Sequence, residues 1–161
     1  MIGESRKGDC MKTIAKFTVF VVVGVLLAGA ATAQFAKPED AIKYRKSVMS
    51  TISKHFKSMG AAVQGKAAYD QKIFAADAEV VKTQATLPWN AFLEPGTDKG
   101  DTTMSSAVFE KKDDFMKTAE AFQTNTALLA SAAQGADLNG LKDPFNEVAQ
   151  NCKACHSAFR K

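Results

Sequence analysis

Two cysteines and a histidine near the carboxyl end of the chain have the residue types and the spacing of a covalent attachment site. The sequence places Cys152 and Cys155 three residues apart, with His156 directly after them. In this C-x-x-C-H pattern each thiol adds to one vinyl group of a haem, and the histidine is brought beneath the iron. The pattern therefore predicts one c-type haem per chain, held by Cys152 and Cys155, with His156 as the axial ligand of the iron.

Other uses of this cysteine pair fit the sequence less well. A thioredoxin-like thiol pair follows a strand in a βαβ context, and no strand is predicted here. A zinc site needs further ligands, and His55 is the only other histidine. A disulfide between positions i and i+3 of one helix would be an unusual use of that helix. Haem attachment is the favoured interpretation.

Four segments repeat apolar residues at steps of three and four, which is the period of an amphipathic helix. The first begins at Pro38 and keeps one face for about 25 residues. The predicted faces, segment by segment, are Ile42, Arg45, Met49, Ile52, Phe56, Met59 and Val63, then Ile73, Val80 and Leu87, then Phe115, Ala119, Phe122, Thr126, Leu129 and Ala133, and finally Leu138, Leu141, Phe145, Val148, Cys152, Cys155 and Phe159.

Capping and breaking residues divide these segments. Asp70 and Asp137 are good N-caps for the second and fourth helices. Pro88 stops the second helix, and residues 89–103 contain enough glycine, proline and polar side chains to predict one long loop. The third helix is expected to start near Ser105.

The pattern predicts an all-α fold, an antiparallel up-down-up-down four-helix bundle that encloses a covalently bound haem. Pro144 falls inside the fourth helical pattern, so we expect a kink or a late helix start there. Both cysteines share the apolar face of this segment, which places the haem inside the bundle rather than on its surface.

The amino-terminal segment has the features of a secretory signal peptide, which predicts a bacterial periplasmic protein. Lys12 and Lys16 precede an apolar run, residues 17–27, and the segment ends in Ala-Thr-Ala at 31–33. The run is shorter than the roughly 20 residues of a membrane-spanning helix, so a membrane anchor is disfavoured. Residues 1–33 are thus predicted to be removed.

The remaining residues, 34–161, are predicted to form a single domain. The whole chain has a net charge of +4. Its charges are interspersed, and nothing in their pattern indicates binding to nucleic acid. No constellation of catalytic side chains is evident, so we do not expect an enzyme.

Several stretches of this sequence resemble the class II cytochromes c, and specifically cytochrome c′, which is itself a standard example of the up-down-up-down bundle. The resemblance covers residues 34–161. It rests on QFAKPEDAIKYRKS at the start of this range, LPWNAF at 87–92, GTDKGD at 96–101 and CKACHSAFRK at the end.

The resemblance implies roles for four further charged residues. Arg160 would lie near the proximal face of the haem, and Arg45 near its edge and propionates. Lys46 stands where many relatives have glutamine, and Asp101 matches a loop residue that approaches the haem. Two ordinary interpretations stay open: Arg45 as a solvated side chain, and Asp101 as a turn residue.

The other side of the iron depends on Met49, which lies on the core face of the first helix. In the first hypothesis Met49, Ile52 and Phe56 form a tight apolar cover over a high-spin, five-coordinate iron. Such a site binds NO and CO, and can exchange electrons. In the second, Met49 ligates the iron, and the low-spin protein is purely an electron carrier. The overall resemblance to cytochrome c′ favours the first.

The resemblance also implies a homodimer that pairs through the first helices, besides redox partner proteins. Tyr44, Val48 and Thr51 are candidates for the outer side of the first helix. His55 lies beside the apolar face and is interpreted as a surface or dimer-edge residue.

Overall fold

A computed structural model describes residues 34–161 of the chain, so the predicted signal peptide lies outside the described residues. Every regular element in this range is a helix, apart from an isolated antiparallel bridge between Met104 and Arg160. The helices are α1 Pro38–Val63, α2 Gln71–Gln84, α3 Trp89–Leu93, α4 Ala107–Glu110, α5 Lys112–Ala132 and α6 Leu138–Phe159.

The four long helices form the predicted bundle. Helix α1 packs against α2 and α6, and α5 packs against the same two neighbours, so the four helices close around one core. Short connections join α1 to α2 and α5 to α6, which makes each pair antiparallel. None of the helices in the described part of the chain has the length and hydropathy required to cross a bilayer.

Both predicted aspartate caps are confirmed. Asp70 accepts a hydrogen bond from the backbone N–H of Ile73 at 3.0 Å, and Asp137 accepts one from Gly140 at 2.9 Å. Because Asp137 starts α6 at Leu138, the helix is already formed when it reaches Pro144 and continues through it. A late start at Pro144 is therefore wrong.

The predicted apolar face of α2 is also wrong. Ile73 is 59% exposed and Leu87 is 41% exposed, while Val80 is only half-buried. The helix is rotated so that a neighbouring row of side chains faces α1 and α5. The first side chain of this row, Phe74, packs edge-on against the ring of Tyr69. The buried row consists of Phe74, Asp77, Ala78, Val81 and Ala85.

The connection predicted as one long loop contains two short helices, α3 and α4. Trp89 begins α3, and its indole N–H donates to the carbonyl of Ala85 at 2.7 Å. The Trp89 ring then packs edge-on against Phe115 and Phe122 of α5. These tertiary contacts stabilise the short helix, and the periodicity of the sequence could not predict them. The long third bundle helix accordingly starts after α4, at Lys112, and its predicted face is buried throughout.

Two predictions for the outer side of α1 need correction. Val48 is only 6% exposed, because it lies one turn before the buried Ile52 in the same row. His55 is half-buried rather than on the surface: its Nδ1 lies 2.6 Å from Oδ1 of Asp77, a residue of α2. This pair links α1 to α2. Tyr44 and Thr51 are half-buried.

Candidate haem site

Two adjacent cavities lie between α1 and α6, with volumes of about 330 and 370 Å³. We call them the first and the second cavity. They share four lining residues, Met49, Cys155, His156 and Arg160, so they are two parts of one cleft. Each volume falls in the range of small-molecule and cofactor sites. The cleft is where the sequence predicts a buried haem.

The predicted attachment residues lie along this cleft on one face of α6. Cys152 lines the second cavity, while Cys155 and His156 line both. Both cysteines are half-buried free thiols. Burial raises the pKa of each thiol, and burial together with the Arg160 charge lowers the pKa of His156. The lowered pKa of His156 favours the neutral imidazole, which is the form that binds a metal.

Aromatic stacking and a glycine set the position of α6 against α1. The rings of Phe56 and Phe145 stack in parallel, with centroids 4.3 Å apart and planes inclined by 4°. Gly60 makes room for this pair, since a Cβ there would lie 3.2 Å from the Phe145 ring. A larger residue at position 60 would push the two helices apart beside the cleft.

Arg45 is a buried cation at the wall of the first cavity, only 2% exposed. Its guanidinium donates to the carbonyl of Ala91 at 3.1 Å, to that of Thr97 at 2.6 Å and to Oγ1 of Thr102 at 2.8 Å. It also lies over the Phe92 ring, 4.7 Å from the centroid. The interpretation of Arg45 as a solvated side chain is wrong.

The positive charge of the buried Arg45 guanidinium is only partly balanced by negative charge nearby. Burial lowers the pKa of Arg45 to about 10, and the negative charge of Asp98 opposes that shift only in part. Within residues 34–161 Arg45 forms no ion pair. A buried cation facing a cavity favours an anionic group in that cavity.

Lys46 and Asp101 meet at the mouth of the first cavity. The Lys46 ammonium lies 2.6 Å from Oδ2 of Asp101, with the two side chains 52% and 95% exposed. Both residues line the cavity. Such an exposed pair contributes little to stability and is screened by salt. It closes one side of the opening.

Helix α1 contributes three apolar side chains to the lining of the second cavity, besides the exposed Ser53 and Lys57. The three are Met49, Ile52 and Phe56, and Met49 reaches the first cavity as well. His55, the other histidine of the described range, lines neither cavity because Asp77 holds its ring between α1 and α2. In the second cavity α1 therefore presents a thioether, hydrocarbon, the Ser53 hydroxyl and the Lys57 ammonium, but no imidazole.

Sequence reasoning missed the polar residues that brace this cleft. Thr97 is fully buried, and its hydroxyl donates to the carbonyls of Phe92 and Glu94. Asn125 donates to Asn151 at 2.7 Å, which ties α5 to α6 next to Cys152. Thr97 lies in the GTDKGD stretch, whereas no sequence signal singled out Asn125 or Asn151.

Comparison with known proteins confirms the resemblance seen in the sequence. A family model described as Cytochrome C' matches residues 40–160. Cytochrome c' of Alcaligenes xylosoxydans xylosoxydans is 44% identical over 128 residues, which cover 80% of this chain and 98% of the relative.

Solved structures agree. Cytochrome c prime from Shewanella frigidimarina has a TM-score of 0.76 at 37% identity, over 79% of this chain and 98% of that one. A ferrous variant of cytochrome c prime from Alcaligenes xylosoxidans with bound NO has a TM-score of 0.73 at 41% identity, over 80% and 98% of the two chains. This chain therefore belongs to the cytochrome c′ family, whose members carry covalent haem c.

Proposed function

We propose that this protein binds NO and CO at a five-coordinate haem iron, and that it also exchanges electrons. Cys152 and Cys155 would hold the haem and His156 would bind its iron, as their placement along the cleft supports. The bound haem supplies an iron with one coordination position open. The observation that carries the proposal is the group of apolar side chains, Met49, Ile52 and Phe56, that α1 contributes to the second cavity.

The first cavity has the charge that would suit the propionate groups of the haem. A haem carries two propionates, and the buried Arg45 lacks a full counter-charge. A propionate beside Arg45 would compensate both groups in a medium of low dielectric constant. Lys46 and Asp101 then lie at the edge of the haem, and Arg160 lies beside His156.

The apolar side chains of α1 determine which molecules bind. Bound O₂ is stabilised by a hydrogen bond from a nearby donor. Met49, Ile52 and Phe56 offer none, and the two donors that α1 adds to the second cavity, Ser53 and Lys57, are exposed to solvent. His55 cannot supply one while Asp77 holds it. Small neutral diatomics need no such bond, so the apolar side chains favour NO and CO and exclude larger ligands by their packing.

The deciding experiment is the absorption spectrum of the reduced protein, recorded with and without CO or NO. The proposal predicts a high-spin spectrum that shifts on addition of either gas. A sharp low-spin spectrum that CO leaves unchanged would overturn it.

Ligation by Met49 is the second candidate, and its support is that this thioether lines both cavities. In that case Met49 and His156 would bind the iron from opposite sides, and the protein would only carry electrons. Methionine–histidine ligation raises the reduction potential. The same spectrum therefore separates the two candidates.

We also propose a periplasmic location and a homodimer. Export follows from residues 1–33, and mass spectrometry of the purified periplasmic protein should find a chain that begins at Gln34 with one haem added. The homodimer would use the outer side of α1, including Tyr44 and Thr51, which stay half-exposed. Sedimentation equilibrium should give twice the mass of one chain, and a monomer at micromolar concentration would contradict this.

A further inference from the structure

The charged residues that line the cleft are unbalanced. Four cations contribute to its walls, against the single carboxylate of Asp101. Asp101 is already paired with Lys46. The cations of the walls are Arg45, Lys46, Lys57 and Arg160.

Three exposed cations lie on the two helices that flank the cleft or directly after them, and we call them the basic rim: Lys57 of α1, Lys153 of α6 and Arg160, which follows α6. Lys57 and Arg160 line the second cavity, and Lys153 lies between the two attachment cysteines in the chain. None of the three forms an ion pair among the residues that the structure describes. The charge of Arg160 acts on the thiol of Cys155 and the ring of His156, which places it beside the motif.

The haem does not neutralise the basic rim if its propionates lie in the first cavity beside Arg45 and Lys46. No carboxylate lines the second cavity. The rim thus remains a positive border around one opening of the cleft, supplied by both of the helices that flank it. Unpaired cations at the edge of a redox site attract an oppositely charged partner and orient it at that edge.

We propose that the basic rim is the docking surface for a redox protein that carries carboxylates on its own docking face. In the complex one electron leaves the ferrous iron, which becomes ferric, and reduces the acceptor of the partner by one electron; no covalent bond forms or breaks. The inference rests on the proposed electron exchange. A protein is favoured over nucleic acid or a membrane because the cations border an opening to the haem instead of covering a broad face.

Two small oxidants test the charge at the haem edge. Ferricyanide and tris(phenanthroline)cobalt(III) each take one electron from the reduced protein, and they carry charges of opposite sign. Stopped-flow rates should fall with ionic strength for ferricyanide and rise for the cobalt complex. If neither rate depends on ionic strength, the proposed docking surface is contradicted, while the proposed electron exchange is still supported. If neither oxidant reacts, the proposed electron exchange itself fails.

Charge reversals then test the rim with a protein probe, oxidised plastocyanin, a small copper protein with an acidic surface. Lys57→Glu and Lys153→Glu should each slow its reduction by roughly tenfold at low salt and flatten the salt dependence. Lys72→Glu is the matched control, because Lys72 is exposed on α2 and α2 lines neither cavity. The control should stay within about twofold of the unmodified protein.

Two results would overturn the proposal. One is an equal effect of all three reversals on the reaction with plastocyanin. The other is sedimentation with phosphatidylglycerol vesicles that the rim variants abolish, in the absence of any effect on plastocyanin, which would assign the rim to a membrane surface instead.

Discussion

Arg45 shows how one side chain can organise a segment distant in sequence. Its guanidinium joins α1 to the carbonyl of Ala91 in α3 and to Thr97 and Thr102 in the following connection. The carbonyls of Ala91 and Thr97 would lose this buried partner if the arginine were removed, whereas Oγ1 of Thr102 would keep the N–H of Met104. The prediction that Arg45 lies at the cleft came from the family resemblance, since its position in the helical pattern alone allowed a solvated residue.

The substitution Arg45→Met is expected to lower the free energy of unfolding by about 3 kcal/mol, because it leaves buried carbonyls unpaired. Lys46→Met, one residue along, is the control. It removes an exposed ion pair, so the loss should stay below about 1 kcal/mol. Urea titration of the two haem-containing variants measures the difference, and equal losses would show that the hydrogen bonds of Arg45 are not structural.

Met49 determines the space above the iron in the proposed five-coordinate site. Met49→Ala should leave the spectrum of the unliganded protein nearly unchanged and speed CO binding, because the thioether no longer fills the cavity. Flash photolysis of the reduced protein gives the rate. A change from low to high spin in this variant would show that Met49 had been a ligand of the iron.

The predicted face of α5 is buried throughout, the predicted faces of α1 and α6 are largely correct apart from Val48 of α1, and that of α2 is wrong. The α5 face is unambiguous because Phe115, Phe122 and Leu129 recur at a helical spacing with mostly polar residues between them. Helix α2 has apolar residues on two neighbouring rows, so periodicity alone could not choose. Burial of the Phe74 ring decided the choice, since an aromatic side chain removes more apolar area from water than Ile73 does.

This choice of face is directly testable. Phe74→Ala should destabilise the protein by about 3 kcal/mol through lost burial and the cavity left behind. Ile73→Ala, on the adjacent exposed position, should change stability by no more than about 0.5 kcal/mol. Thermal or urea unfolding of the pair gives the answer; the reverse order would restore the face predicted from periodicity.

The connection between α2 and α5 was the least predictable element for a related reason. Its short helices are fixed by partners that lie far away in the sequence. Besides the contacts of Arg45, Lys161 donates to the carbonyl of Asp98 at 2.7 Å, and the backbone of Ser105 bonds to Phe159. Glycine and proline content correctly indicates a break in the long helices, but it carries no information about such contacts.

In the whole molecule, side chains do not fill the cleft, so a large part of the bundle interior lacks side-chain packing. The two cavities are lined by apolar groups such as Phe115 and Phe122, which a bound haem would cover. Attachment chemistry was readable from five consecutive residues, whereas the shape of the cleft depends on how three long helices and one connection meet.

The haem-free chain should therefore be less stable than the holoprotein, by roughly 3 kcal/mol or more, because the apolar lining loses its largest partner. Protein produced in a host without cytochrome c maturation supplies the sample. Urea midpoints followed by circular dichroism measure the loss. Identical midpoints for the two forms would mean that the haem is not part of the core.

Helix α2 lines neither cavity, although it packs against both α1 and α5. Events at the iron can reach it through those two neighbours, and through Trp89, which lines the second cavity and donates to the carbonyl of Ala85 directly after α2. Ile73 of α2 and Leu87 beyond its end are exposed and line neither cavity. Substitutions, spectroscopic labels or new contacts at these exposed positions should therefore disturb the haem site least. The opposite side of the bundle, where the cleft lies, tolerates fewer such changes.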